Sequence, residues 1–364
     1  MEKEIITTAK PIINRKIINK VNSVLQSRHW VQGKAVEELE NVIASLIGVK
    51  YAVVVSSGTA ALHTLLSSFN FDKNDEIITS PFTFVGTANA IVLSNAKPVF
   101  ADISTTDFNL DHESVEKKIT KKTKAILVVD LYGQTANYKK LSELAKKYNL
   151  ILLSDSAQAI GALHYNKSVN KYVAAAIFSL YATKNIAAGE GGVIVTDDIK
   201  VANFAKAFRN QGLENGIPTI LGLNYRMTDI LAVIALEQIR SIEEITKKRR
   251  KIASYYNKNL KNLELQLPKE LESNFHVYHQ YTIRIKNRDI IREKLKQNKI
   301  MTGVFYSPPL HLLKHFRSLG YKKGDLPVAE EVSEEVLSLP IHFSITKKDQ
   351  NTIIKELRKI LLKS

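Results

Sequence analysis

Seven short apolar runs, separated by helix-like segments, constrain this chain more than any other feature. They fall at residues 51–55, 76–79, 98–100, 125–129, 150–153, 175–179 and 193–196. A continuous apolar run of this length has no polar face to offer water, so it belongs in a sheet covered on both sides. Alternation of such strands with helical patterns predicts an α/β architecture, a mostly parallel seven-stranded sheet sandwiched by helices. A long helical pattern from about residue 228 to 257, with charges opposite an apolar stripe, should then lead out of this domain. Beyond it come a strand-like stretch at 278–285, a helix near 288–297, a loop at 306–311 and two closing helices, punctuated by Pro308, Pro309 and Pro340. This reads as a smaller α+β domain. A chain of 364 residues exceeds one ordinary core, and the expected division is 1–245 and 246–364. There is neither an internal repeat nor a low-complexity linker.

Composition narrows the classes. With 45% hydrophobic residues there is still no apolar run long enough to span a bilayer. Acidic Glu2 and Glu4 stand where a signal peptide would be basic. The absence of cysteine excludes disulfides, thiolate metal sites and thiol catalysis. Together these read as a cytoplasmic protein. The formal net charge of +16 leaves two readings. The lysines are scattered as pairs such as Lys117-Lys118 and Lys146-Lys147, mostly on polar helix faces, and not gathered into a stripe with interleaved aromatics as in a nucleic-acid binder. The remaining alternative is a field that attracts a dianionic substrate.

The chemistry begins at Lys184. An apolar strand delivers it into a turn containing Gly189, Gly191 and Gly192, where burial would lower its pKa and free the amine to attack a carbonyl. Most of the 52 Lys and Arg residues must be solvated surface, so Lys184 gains weight only through partners. Asp155 ends the run at 150–153, where ligands of open α/β sheets collect. A carboxylate there could hold the pyridinium nitrogen of pyridoxal 5'-phosphate (PLP) protonated, with Gln158 near enough to reach the phenolic oxygen. The competing reading makes Asp155 a helix N-cap and Gln158 its capping-box partner. After the first strand, Ser56-Ser57-Gly58-Thr59 opens a helix, and exposed N–H groups plus a hydroxyl make a phosphate seat. The run lacks the lysine and spacing of a Walker A loop, and no dinucleotide fingerprint is present.

At this point the residues resemble the DegT/DnrJ/StrS group of sugar aminotransferases, within the PLP-dependent enzymes of fold type I. The resemblance covers nearly the whole chain: Trp30 to Gly33, Ser56 to Leu62, Pro81 to Asn89, Lys97 to Asp102, Asp155 to Ala159, Ser179 to Gly192, Leu223 to Asp229, Gly324 to Glu330 and Leu337 to Pro340. It implies that Lys184 is the Schiff-base lysine and proton shuttle, that Asp155 holds the pyridine nitrogen and that Gln158 contacts the phenolic oxygen. It implies further that Phe84 stacks on the cofactor ring, that Gly58, Thr59 and Ser179 seat the phosphate, and that Asn224 reaches the phosphate of the neighbouring subunit in a homodimer with shared active sites. Tyr181 departs from the pattern, since many relatives carry His there. Relatives with His in place of the lysine become dehydratases, so Lys184 argues for transamination. Tyr306 and His311 resemble a loop near the substrate mouth, with a structural loop role as the alternative for each.

Metal chemistry is the main competitor. His276 and His279, three apart in a strand-like stretch, should point to opposite faces, which argues against shared ligation. No metal site is expected. The implied function is transfer of an amino group, with L-glutamate as the donor, to a nucleotide-diphosphate-linked keto sugar, as in amino-sugar and polysaccharide biosynthesis. Alternatives are a sugar dehydratase or cyclitol aminotransferase of the same fold, or a non-enzymatic PLP-binding regulator.

Overall fold

The computed structural model describes residues 4–362; Glu2, considered above for a leader peptide, lies outside them. Seven strands form one sheet: β1 (Tyr51–Val55), β2 (Glu76–Thr79), β3 (Lys97–Phe100), β4 (Thr123–Val129), β5 (Ile151–Asp155), β6 (Ala175–Ser179) and β7 (Gly192–Thr196). Their spatial order is β1-β7-β6-β5-β4-β2-β3, and β7 alone runs against its neighbours.

The pleat explains why the strands are apolar throughout. Val53, Val55, Leu127 and Ile177 face one layer, where they pack with Ala61, Leu62 and Leu65 of helix α3 (Gly58–Ser67). Val54, Ile126, Val128 and Phe178 face the other, with Leu39 and Ile43 of α2 (Lys34–Ile47), which follows α1 (Arg15–Ser27), and with Ala232, Leu236 and Ile239 of another helix. Period-two alternation therefore buries both sets, each such side chain contributing about 2 kcal/mol of hydrophobic stabilisation. The expected strands and doubly covered sheet are present.

The expected single helix from residue 228 is two. Helix α4 (Asp229–Ile239) ends at Arg240, and helix α5 (Ile242–Leu260) starts afresh after Ser241. The first is buried almost all round against the sheet layer, whereas the second is amphipathic and moves on to another core, so one straight axis cannot serve both. Ser241 followed by Glu243 and Glu244 is a helix-start pattern in the sequence. That second core joins Ile252, Tyr256 and Leu260 of α5 to an antiparallel pair, β8 (Tyr281–Arg284) and β9 (Val336–Leu339), and to two further helices, α6 (Arg288–Gln297) and α7 (Lys347–Leu361).

The strand expected at 278–285 is shorter, because residues 276–280 hydrogen-bond elsewhere: Val277 N donates to Gly133 O and Gln280 N to Tyr132 O. Arg249 fixes this irregular stretch. Its buried Nη1 donates to the carbonyls of Tyr278, His279 and Ile341, and burial without a carboxylate partner lowers its pKa to about 10.

Candidate active site

The carboxyl ends of β1, β4, β5 and β6 meet at a cavity of about 750 Å³. After β1 the chain turns directly into α3, whose N-cap Ser57 accepts from Ala60 N at 3.1 Å. Two glycines permit the close approach here. A Cβ on Gly58 would lie 3.0 Å from Ser179 Cβ, and one on Gly192 would collide with the Ser57 carbonyl. The N-terminus of α3, Thr59 and Ser179 therefore share one small, hydroxyl-lined corner, suited to an anion.

Asp155 closes β5 and is 5% exposed. Burial pushes its pKa up, while Thr87, the Ala157 N–H and the Lys184 charge pull it back. Thr87 Oγ1 donates to Oδ2 at 2.7 Å and Ala157 N to Oδ1 at 3.2 Å. Helix capping does not describe this arrangement, since turns and not a helix follow the strand. Gln158 lines the cavity, but its amide is engaged: Oε1 accepts from Tyr132 N at 2.8 Å and Nε2 donates to Tyr306 OH at 3.0 Å.

Lys184 enters from the loop between β6 and β7. Burial lowers its pKa to about 8, against the opposing pull of Asp155. An amine near neutrality and a carboxylate thus face one cavity, the pairing a carbonyl-binding lysine needs. Phe84 and Tyr306 form an aromatic wall, with ring centroids 6.1 Å apart and a 47° tilt. Tyr181 also lines the cavity.

Two residues stand elsewhere. Asn224 is exposed on the Asn210–Asn224 bridge and does not line this chain's cavity. His311 is fully buried, its Nε2 3.0 Å from Glu330 Oε1, which fits the structural alternative and not a place at the mouth. His276 and His279 sit in the irregular stretch and not in a strand. His276 Nδ1 accepts from Tyr278 N, while His279 lines the cavity and burial holds it neutral, helped by the Lys184 charge. Sequence reasoning missed Thr87 and His279, which reach the site only through tertiary folding.

A seven-stranded, doubly covered sheet with an aspartate ending one strand and a lysine in the loop after the next defines the transferase fold of PLP-dependent enzymes, fold type I. The chain belongs to the DegT/DnrJ/EryC1/StrS aminotransferase family, whose description matches residues 11–358. It is an enzyme, an aminotransferase, and aminotransferases of this family are PLP-dependent. It is 38% identical to a "pleiotropic regulatory protein" of Geobacillus stearothermophilus, over 94% of this chain and 93% of that one. It is 33% identical to the UDP-2-acetamido-2-deoxy-3-oxo-D-glucuronate aminotransferase of Pseudomonas aeruginosa, over 91% and 92%. Its structure is similar to that of Helicobacter pylori PseC, an aminotransferase involved in the biosynthesis of pseudoaminic acid, with a TM-score of 0.94, 31% identity and all of both chains covered. Among the described residues no helix is long and apolar enough to cross a membrane.

Proposed function

We propose that this protein is a PLP-dependent sugar aminotransferase that moves an amino group from an amino acid, L-glutamate, to a keto sugar carried on a nucleoside diphosphate. The observation that carries the reading is the pair that faces one cavity: Lys184, half-buried with its pKa lowered to about 8 by desolvation, and buried Asp155, held by Thr87.

The residues fit the cofactor. The corner of Gly58, Thr59 and Ser179 has the donors for a phosphate, Asp155 is a buried acceptor for a protonated ring nitrogen, and Phe84 offers a ring face at the cavity wall. Bound there, PLP supplies an electron sink for the carbon whose C–N bond changes. Lys184 Nζ would hold the cofactor between turnovers and, when free, would accept and return the proton that moves during amino transfer. Asp155 would keep the ring nitrogen protonated. Gln158 orients Tyr306, and the second N–H of its Nε2 would add a contact at the phenolic oxygen; Tyr306 lines the same cavity and would border the sugar. Donor and acceptor occupy one cavity in turn, so ping-pong kinetics follow.

The reading includes a homodimer in which Asn224 reaches the partner's phosphate seat. Support comes from its exposure, and from Trp30, Ile217 and Leu221, which are 49%, 66% and 87% exposed in the single chain. It includes a domain division near residues 245 and 246, supported by the separate cores that the two ends of α5 enter. The net charge of +16 suits an anionic nucleotide substrate.

Addition of L-glutamate to the PLP-loaded protein should shift its visible absorbance to that of pyridoxamine phosphate, and a nucleotide keto sugar should then restore it. A spectrum unmoved by amino donors would favour a second reading, a PLP-binding regulator. That reading draws on the name of the Geobacillus relative.

A further inference from the structure

The loop that carries Lys184 has no regular structure, yet it must put one amine in one place. Internal bonds close it: Leu180 N donates to Gly191 O at 2.8 Å, Ala182 N to Gly189 O at 3.0 Å, Lys184 N to Tyr181 O at 2.8 Å and Ala188 N to Leu180 O at 2.7 Å. None of these ties the loop to the rest of the molecule.

Two amides do. Asn185, within the loop, donates from Nδ2 to Val277 O at 3.0 Å. From outside, Gln238 of α4 accepts the Ala187 N–H on Oε1 at 2.9 Å and donates from Nε2 to Ala187 O at 2.8 Å. The same Nε2 donates to Ile12 O at 3.3 Å. Gln238 and Ala187 are each 3% exposed. An amide that pairs with both backbone groups of one residue fixes its position and its orientation, and at this depth none of those groups has water as a substitute.

Helix packing does not call for a glutamine here. Ala235, Leu236 and Ile239 of the same helix are buried and apolar, while buried Glu237 is paired with Lys16 and Arg240, and the amide of Gln238 is costly here unless fully bonded. The Ile12 contact extends the tie to the N-terminal segment, which also reaches the second core, where Met301 N donates to Ile6 O at 2.9 Å.

We propose that Gln238 is a positioning residue for Lys184: through Ala187 it holds the lysine loop in the place that brings the amine into the Asp155 cavity, and through Ile12 it sets that loop against the N-terminal segment. The proposal rests on the reading of Lys184 as the reacting amine.

The test uses full-length Gln238→Leu, which removes all three bonds, and Gln238→Glu, which keeps the acceptor for Ala187 N–H and loses both donations. Misplacement of a reacting group by a fraction of an ångström to one ångström predicts a fall in kcat of about ten- to hundredfold for Gln238→Leu with KM held, and an intermediate fall for Gln238→Glu. The second readout is made without cofactor: the pH dependence of Lys184 acylation by trace acetic anhydride, read by peptide mapping. Wild type should show a midpoint of about 8, and Gln238→Leu a midpoint raised toward the ordinary lysine range, as the loosened loop admits water. An unchanged midpoint in folded Gln238→Leu overturns the proposal, whatever kcat does. If that variant does not fold, the native protein decides. The Ala187 amide should exchange its hydrogen slowly, and exchange as fast as in exposed loops overturns the proposal. Because labelling needs no cofactor, failure of the positioning role is distinguishable from failure of the PLP reading.

Discussion

Thr87 donates its hydroxyl hydrogen to Asp155 Oδ2 across 2.7 Å, in a position where Thr87 is 1% exposed and the carboxylate 5%. Burial alone would drive Asp155 toward its neutral form, and Thr87 is the largest influence opposing that. Thr83 Oγ1 lies 3.0 Å from Thr87 Oγ1 and orients it in turn. Thr87→Val keeps the shape and deletes one bond to a charged group, a loss of about 1.5–3 kcal/mol. The expected result is a fall in kcat of about tenfold to hundredfold, with PLP binding weakened, measured by steady-state kinetics and cofactor titration. Wild-type kinetics would remove Thr87 from the site's electrostatics.

Asp155→Asn should cost far more than Thr87→Val, since a neutral amide cannot hold the pyridinium proton. Single-turnover rates with L-glutamate measure this directly. Near-normal turnover would return Asp155 to a role in the turn that follows β5.

Desolvation of Lys184 makes folded stability depend on pH. Its folded pKa, about 8, lies below the model-compound value of 10.5, so between those values the unfolded chain binds a proton that the folded chain does not. Folded stability therefore rises with pH through that window, and the cost of burying the charge is fully present below pH 8. Lys184→Met removes this cost. The cofactor-free variant should be more stable than wild type by up to about 3 kcal/mol at pH 7, with the gap narrowing from pH 8 and closing above pH 10.5, as read by urea unfolding. Equal stability at pH 7 would show that the amine is solvated.

Glu330 is a latch. It accepts from Gly324 N at 2.9 Å, from Leu326 N at 3.4 Å and faces His311 Nε2 at 3.0 Å. Burial pushes its carboxyl up, but His311 and these backbone donors outweigh it and hold the pKa below the usual range. Glu330→Ala strands a buried imidazole and two N–H groups and should destabilise the fold by about 3 kcal/mol. His311→Phe should lower the melting temperature while leaving KM for the acceptor unchanged. A raised KM would restore the substrate role that the loop resemblance suggests.

The parts legible in the sequence are those that depend on local pattern. The apolar runs locate all seven sheet strands, because a strand buried on both faces must be apolar throughout, and Lys184 and Asp155 stand out at the ends of such runs. The join at Arg240 and Ser241 was obscured, since two helices with adjoining apolar stripes mimic one. His279 and Thr87 carry no local signal: their roles arise when residues far apart in the chain meet Lys184 and Asp155. Gln238 left a faint one, a glutamine between the buried residues Leu236 and Ile239, and its meaning depends on Ala187 and Ile12 arriving from elsewhere.

The central claim is that Lys184 is the amine that holds PLP. The most direct measurement is the absorbance spectrum of the purified protein with PLP, before and after borohydride reduction, followed by mass mapping of the modified peptide. The account predicts a visible band that reduction removes, with the label fixed on Lys184 alone. Absence of the band, or label spread over surface lysines, would contradict it.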